Sequence, residues 1–160
     1  MSNGIKVKKR DGSQESINLD KIHTMVECAC EGLAGVSPSQ VEIQSGIQFY
    51  DGITTAEIQE ILVRSASDLI DLENPNYQFV AARLLLWGMY KQVFGGDWKH
   101  GVTSLGAQRG EGITKGIYDK ELDTKYSDEE GSKRKSWIDH HRDYWGTYAG
   151  LRQVVDKYLV

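Results

Sequence analysis

The 160-residue chain has only two cysteines and two prolines, and no apolar run approaches the roughly 18 residues that a membrane span needs. Its N-terminus carries no signal-peptide pattern, so the chain is expected in the cytoplasm. Cys28 and Cys30 form a CxC on a predicted helix. That spacing turns the two side chains to different faces, which speaks against a mutual disulfide or a shared metal. Both read as small apolar fillers in a reducing compartment. A broad basic surface is missing as well: the formal net charge of −4 argues against duplex binding. What remains, 39% hydrophobic and 26% charged residues, is the composition of a soluble globular protein. The length fits one domain, or a domain with an appendage.

Positive charge is concentrated where the chain begins. Lys6, Lys8, Lys9 and Arg10 fall within the first ten residues, whereas residues 11–94 hold four basic side chains against twelve acidic ones. A basic island inside an acidic domain points to a local anionic ligand, and a nucleotide phosphate tail fits better than a long polyanion. The island belongs to VKKRDGSQESINLDKI, residues 7–22. Ile5-Lys6-Val7-Lys8 alternates as a half-buried strand, Asp11-Gly12 is a hairpin turn signal, and Ser16-Ile17 supplies the return strand.

Helix signals follow. Asn18 is a suitable N-cap for a helix with Ile22, Met25, Val26, Ala29 and Leu33 on one face, ended near Gly35. Ser37-Pro38-Ser39-Gln40 reads as a capping box with proline at the first helical position, leading to Val41 and Ile47. Asp51-Gly52-Ile53 is a turn with a short extended piece. Thr54-Thr55-Ala56-Glu57 caps a third helix with Ile58, Ile61, Leu62, Ser65 and Leu69 inside. Asn74-Pro75 opens a fourth, with Val80, Leu84 and Trp87 on its core side. The expected fold of residues 1–94 is α+β, a small antiparallel sheet laid against four helices.

Residues 95–116 hold seven of the seventeen glycines and lose helical periodicity, so a linker or irregular loop is expected there. From Ile117 to residue 160 the chain reads as helical again. Ser127-Asp128-Glu129-Glu130 resembles a helix start, and Leu151, Val154, Val155, Tyr158 and Leu159 crowd the end. That apolar cluster suggests a piece of something larger, or a docking surface.

A nucleotide site needs cations and backbone N–H groups for phosphates, an apolar slot for the base, and polar groups for the base edge and ribose. Lys9 and Arg10 lie on the hairpin, Glu15 and Asn18 just across the turn, and Lys21 in the first turn of the next helix. The helix N-terminus adds partial positive charge to that corner. Val7, Ile17 and Ile22 are available for the slot. A solvated basic strand with an ordinary cap gives the same pattern.

VKKRDGSQESINLDKI closely resembles the opening motif of the ATP-cone, the regulatory nucleotide-binding domain at the N-terminus of ribonucleotide reductase large subunits. The similarity continues through VSPSQVEIQSGIQFYDGITTAEIQEI and NPNYQFVAARLLL, so it covers residues 5–94 in register. It is close to the class I aerobic large subunits of bacteria and their phages. WIDHHRDYWGTYAGLRQVVDKYLV, residues 137–160, looks like the segment leading into their catalytic barrel.

The resemblance implies a four-helix cone capped by a three-stranded sheet, and ATP or dATP as allosteric effector with Mg2+. Lys9, Arg10, Lys21 and Lys91 match residues that hold phosphates. Glu15 and Asn18 match contacts to base and sugar, and Val7, Ile22, Thr55 and Ile58 match the remaining lining. The implied role is control of overall activity in deoxyribonucleotide synthesis for DNA replication, through the oligomeric state of the oxidoreductase. The small subunit, the rest of the large subunit and a second cone are the implied partners. No catalytic residue of the family lies in this chain, which stops before the barrel. Members inhibited by dATP often carry histidine where this chain has Gln59 and Gly88. The resemblance therefore implies ATP binding and leaves dATP inhibition open. A free-standing protein that assembles with separately encoded reductase subunits is the alternative. A cone-containing transcription repressor is disfavoured, since only four residues precede the first strand and no CxxC occurs.

Three weaker signals carry little. The glycines of 110–116 fit neither GxGxxG nor GxxxxGK[ST]. Asp139-His140-His141 places adjacent histidines on diverging faces without a third ligand. The aromatic residues from Trp137 to Tyr148 read as a buried or subunit-facing cluster.

Overall fold

A computed structural model describes residues 4–94 and 104–158. The fold is mixed, with a three-stranded sheet and predominantly helical elements around it. The contacts divide the chain into two compact units. One comprises residues up to Gly88 together with those from Tyr144 onward; the other is Met89–Asp143.

The first unit begins with strands β1 (Lys6–Lys8) and β2 (Gln14–Ser16), an antiparallel hairpin. Asp11 builds its turn: one carboxylate oxygen accepts from Ser13 N at 2.9 Å and Ser13 Oγ at 2.6 Å. Gly12 adopts φ +85°, a left-handed conformation that other residues enter at a cost. The third strand, β3 (Ile53–Thr54), pairs with β1 in parallel. The expected all-antiparallel sheet is thus corrected. β3 reaches β1 after a long excursion through two helices, and its approach is fixed where Lys6 N donates to Asp51 Oδ1 (2.8 Å) and Gly52 N to the Lys6 carbonyl (2.9 Å).

Helix α1 (Leu19–Cys30) starts as expected, with Asn18 Oδ1 accepting from Lys21 N at 2.9 Å. It stops earlier than Gly35, because Gly32 already takes the left-handed conformation at φ +72°. Its C-terminal carbonyls are covered by α4 (Tyr77–Phe94): Arg83 Nη1 donates to the carbonyls of Ala29 (3.0 Å) and Glu31 (2.8 Å). α1 has no basic residue in its own last turn, so this guanidinium is the cation opposite its negative dipole end.

Helix α2 (Pro38–Gly46) has proline at its start, but the Ser37 side chain makes no cap bond. The buried Tyr77 phenol takes over that function, accepting from Ser37 N (3.0 Å) and donating to Gln40 Oε1 (2.5 Å). The capping box is therefore bridged by a tertiary contact. Val41 is buried, whereas Ile47 lies past the helix end and is 78% exposed. Helix α3 (Thr55–Asp68) has the full predicted box: Thr54 Oγ1 accepts from Glu57 N, and Glu57 accepts from Thr54 N (2.8 Å).

α4 is the central helix. Val80, Ala81, Ala82, Leu84, Leu85, Leu86 and Trp87 are all buried, a broader surface than the single predicted face. A helix apolar all round belongs inside. Cys30 is buried beside it, and burial pushes its thiol up to about 11, which keeps it unreactive at neutral pH. Helix α8 (Tyr148–Tyr158) is tied to α3 by Arg152 and Glu60, 3.2 Å apart. Leu151 and Val155 are half-buried, while Val154 and Tyr158 are exposed; Leu159 lies outside the described residues.

In the second unit, Leu105–Thr114 is a helix, α5, where an irregular loop is expected. Its glycines are contact positions. A Cβ on Gly112 would lie 2.3 Å from the Tyr118 ring, and one on Gly106 would lie 2.8 Å from Asp128 Oδ1. Arg109 reaches from α5 to Asp123 in α6 (Glu121–Lys125; 2.9 Å) and to Asp128 in α7 (Asp128–Lys135; 2.8 Å). The predicted start of α7 is a full capping box of Ser127 and Glu130. The part of the glycine-rich stretch over 95–103 lies outside the described residues. His140 Nδ1 lies 2.9 Å from Asp143, whose carboxylate also accepts from Tyr90. Among the described residues no cluster of three metal-ligating side chains occurs.

Thr54→Ala removes the α3 cap and should lower stability by about 1 kcal/mol in urea denaturation; an unchanged midpoint would mean that the box is ornamental. His23 provides a test by pH. Its Nδ1 lies 2.6 Å from Glu42 and its Nε2 3.2 Å from Glu27. The hydrogen bond to Glu42, then the two negative charges, raise its pKa above the usual imidazole value. The folded state therefore favours the protonated ring. That contribution is complete below roughly pH 6.5, the unfolded value, and is lost as pH rises through the folded pKa. The melting-temperature gap between wild type and His23→Gln should be open at pH 5.5 and closed at pH 9. A gap independent of pH would refute this assignment.

Candidate functional site

The sheet order is β2-β1-β3, so β1 is paired on both sides. Because β1 and β3 are parallel with Lys8 opposite Thr54, both leave the sheet at the same end. Lys9 and Arg10 follow one, and Thr55 follows the other. β2 runs the opposite way and enters at that end, with Gln14 opposite Lys8 and Glu15 opposite Val7. Two segments some 45 residues apart in sequence are thereby brought to one edge. Beneath them, Val7 and Ile53 form the buried register pair, 4% and 0% exposed. Ile58 follows one turn into α3 and is half-buried.

At this edge Lys9 Nζ lies 2.7 Å from Glu15 Oε2, both side chains being about two-fifths exposed (41% and 43%). The hydrogen bond to Glu15 is the largest cause of a raised Lys9 pKa, so the ammonium stays charged at any physiological pH. The Lys9 backbone closes the turn, with its N–H donating to the Ser13 carbonyl at 2.8 Å. Arg10 is exposed at the tip.

Asn18 and Lys21 stand where β2 leaves the sheet, at the other end of its three residues. At about 3.3 Å per residue, strand length separates the two ends by roughly 7–10 Å. The Asn18 carbonyl oxygen is committed to the Lys21 N–H, so what Asn18 can offer a ligand is its amide N–H pair. Ile22 lines a groove of about 370 Å³ between α1 and α2, in company with Leu19, His23, Glu42, Ile43 and Phe49.

Lys91 is in the last turn of α4 and belongs to the second unit. Helical periodicity aligns it with Gly88 and Leu84. On that line Gln59 of α3 donates from Nε2 to the Leu84 carbonyl at 2.7 Å. A Cβ on Gly88 would come within 3.0 Å of Gln59 Cγ, so the absence of a side chain at 88 is what admits Gln59. Linear sequence carries no signal for this contact. The Lys9–Glu15 pair, by contrast, was within reach, since hairpin pairing favours opposite charges on neighbouring strands.

Residues 5–92 match the ATP cone domain family, more than half of the chain. Over all 160 residues the chain is 43% identical to the "Ribonucleoside-diphosphate reductase 1 subunit alpha" of Escherichia coli (strain K12), covering 100% of this chain and 21% of that relative. It is 42% identical to the "Ribonucleoside-diphosphate reductase subunit alpha" of Haemophilus influenzae and 40% identical to that of Buchnera aphidicola subsp. Schizaphis graminum, again with 100% of this chain and 21% of each relative covered. The chain thus spans about a fifth of the length of these curated relatives. With its cationic hairpin, its parallel third strand and a family match across both, the chain belongs to the ATP-cone family and is similar to the N-terminal region of class I ribonucleotide reductase alpha subunits.

Proposed function

We propose that this chain is the allosteric effector-binding region of a ribonucleoside-diphosphate reductase large subunit, taking ATP or dATP. The observation that carries the reading is the meeting of Lys9, Arg10, Glu15 and Thr55 at one sheet edge, set by β1 pairing with both β2 and β3. Lys9, Arg10 and Lys21 hold the phosphates, joined by Lys91 from α4. Glu15, an acceptor, and Asn18, a donor, take the sugar hydroxyls and the base edge. Val7, Ile22, Thr55 and Ile58 complete the lining. Since the described residues contain no cluster of three acidic or other metal-ligating groups, Mg2+ would come on the phosphate oxygens with its own waters.

The cone over residues 1–94 is followed by a connector over 95–116, which includes α5, and by residues 117–160 leading to a catalytic barrel. Effector binding changes the surface that the cone's helices present to the small subunit or to a second cone, in the cytoplasm. A coupling of a few kcal/mol suffices to change which oligomer dominates. ATP binding is retained although Gln59 and Gly88 stand where dATP-inhibited members often carry histidines.

Isothermal titration of the chain with ATP and dATP tests the reading. Both should bind, and Lys9→Ala Lys91→Ala should lose about ten-fold or more, as expected when charged hydrogen bonds to phosphate are removed. Equal weak heats from wild type and variant would end it.

A further inference from the structure

The geometry points to an ion-pair exchange built into this site: Glu15 holds the Lys9 ammonium in the absence of ligand and gives it up to a polyphosphate, which frees the Glu15 carboxylate for the ligand's hydroxyl or amino groups. This rests on the nucleotide reading above and adds a regulation to it.

Two residues with separate tasks on the ligand are bonded to each other, at 2.7 Å. The contact joins positions that the hairpin places on neighbouring strands, because Val7 stands opposite Glu15 and Lys9 follows β1 by one residue. It is also half-open to solvent, with two-fifths of each side chain exposed. An exposed pair of this kind is worth little, so a ligand bearing several charges displaces the single carboxylate. The backbone need not move. Lys9 N stays bonded to the Ser13 carbonyl and Gly12 N to the Lys9 carbonyl, so only side-chain torsions change.

The exchange has a chemical consequence. A ligand with phosphates but no nucleoside gains Lys9 while still opposing the Glu15 charge. A nucleoside without phosphates finds Glu15 engaged by Lys9. Only a ligand that carries both parts uses both groups, so the pair selects for nucleoside polyphosphates over either fragment.

The test is a double-mutant cycle with inorganic tripolyphosphate as the probe, on wild type, Glu15→Gln, Lys9→Ala and the double variant, with ATP titrated in parallel. Glu15→Gln should bind tripolyphosphate about five-fold more tightly than wild type, the upper value for loss of an exposed pair. The gain should vanish in the Lys9→Ala background. For ATP the gain should be smaller, because the amide introduced by Glu15→Gln accepts from the nucleoside less well than the carboxylate does. No tightening of tripolyphosphate, or equal tightening with and without Lys9, overturns the exchange, the latter reporting bulk charge alone. Tripolyphosphate following the cycle while ATP fails to bind wild type would leave the exchange standing and remove the nucleotide reading.

Discussion

β1 has three residues, and both of its edges are occupied. Hydrogen bonding on both sides gives a strand this short a fixed register, and that register decides which side chains meet. Val7 is buried between Glu15 on one side and Ile53 on the other, while Lys6 and Lys8 point outward. A slip by one residue would exchange faces, burying a lysine and exposing the valine. Burial of an unpaired ammonium is far costlier than the loss of one valine contact, so the charge pattern of the strand enforces its own alignment. The placement of Lys9 and Arg10 at the sheet's end follows from that alignment.

The helices are attached to this frame by polar groups from elsewhere in the fold. Arg83 and Tyr77, both on α4, serve the end of α1 and the start of α2. The same helix offers the Leu84 carbonyl to Gln59 of α3. α4 therefore does more than fill the core: its backbone and two of its side chains satisfy groups at the termini or flanks of its three neighbours. Arg83 also stacks over the Tyr144 ring at 5.5 Å, and Trp87 donates to that phenol at 3.3 Å, so one face of α4 holds the residue from which the later chain rejoins the first unit.

What the sequence disclosed was mostly local. Asn18, Thr54 with Glu57, and Ser127 with Glu130 were readable as caps because each bond closes within four residues. Ser37 followed the same grammar and failed, because a tyrosine forty residues away inserted its hydroxyl between the two halves of the box. The direction of the third strand escapes the sequence for a related reason: two residues, Ile53–Thr54, carry no pattern of their own, and only a non-local partner sets how they pair. α5 was hidden by its glycines, which read as breakers in isolation and act as contact surfaces against Tyr118 and Asp128. At the site, residue types on the hairpin were legible from charge. The Lys9–Glu15 bond needed the register, and the Gln59–Gly88 fit needed the packing of two helices.

The parallel pairing of β1 with β3 bears on how the cone is made. Lys6 bonds Asp51 across 45 positions, so the loop between them must close before the edge exists. Closure of that kind is slow relative to helix formation, and its entropic cost falls on the transition state. A hairpin synthesised first on the ribosome therefore waits, cationic and incomplete, until the second half of the cone has emerged. The sheet edge that carries Lys9 and Arg10 therefore arrives late and all at once, as a property of the finished topology.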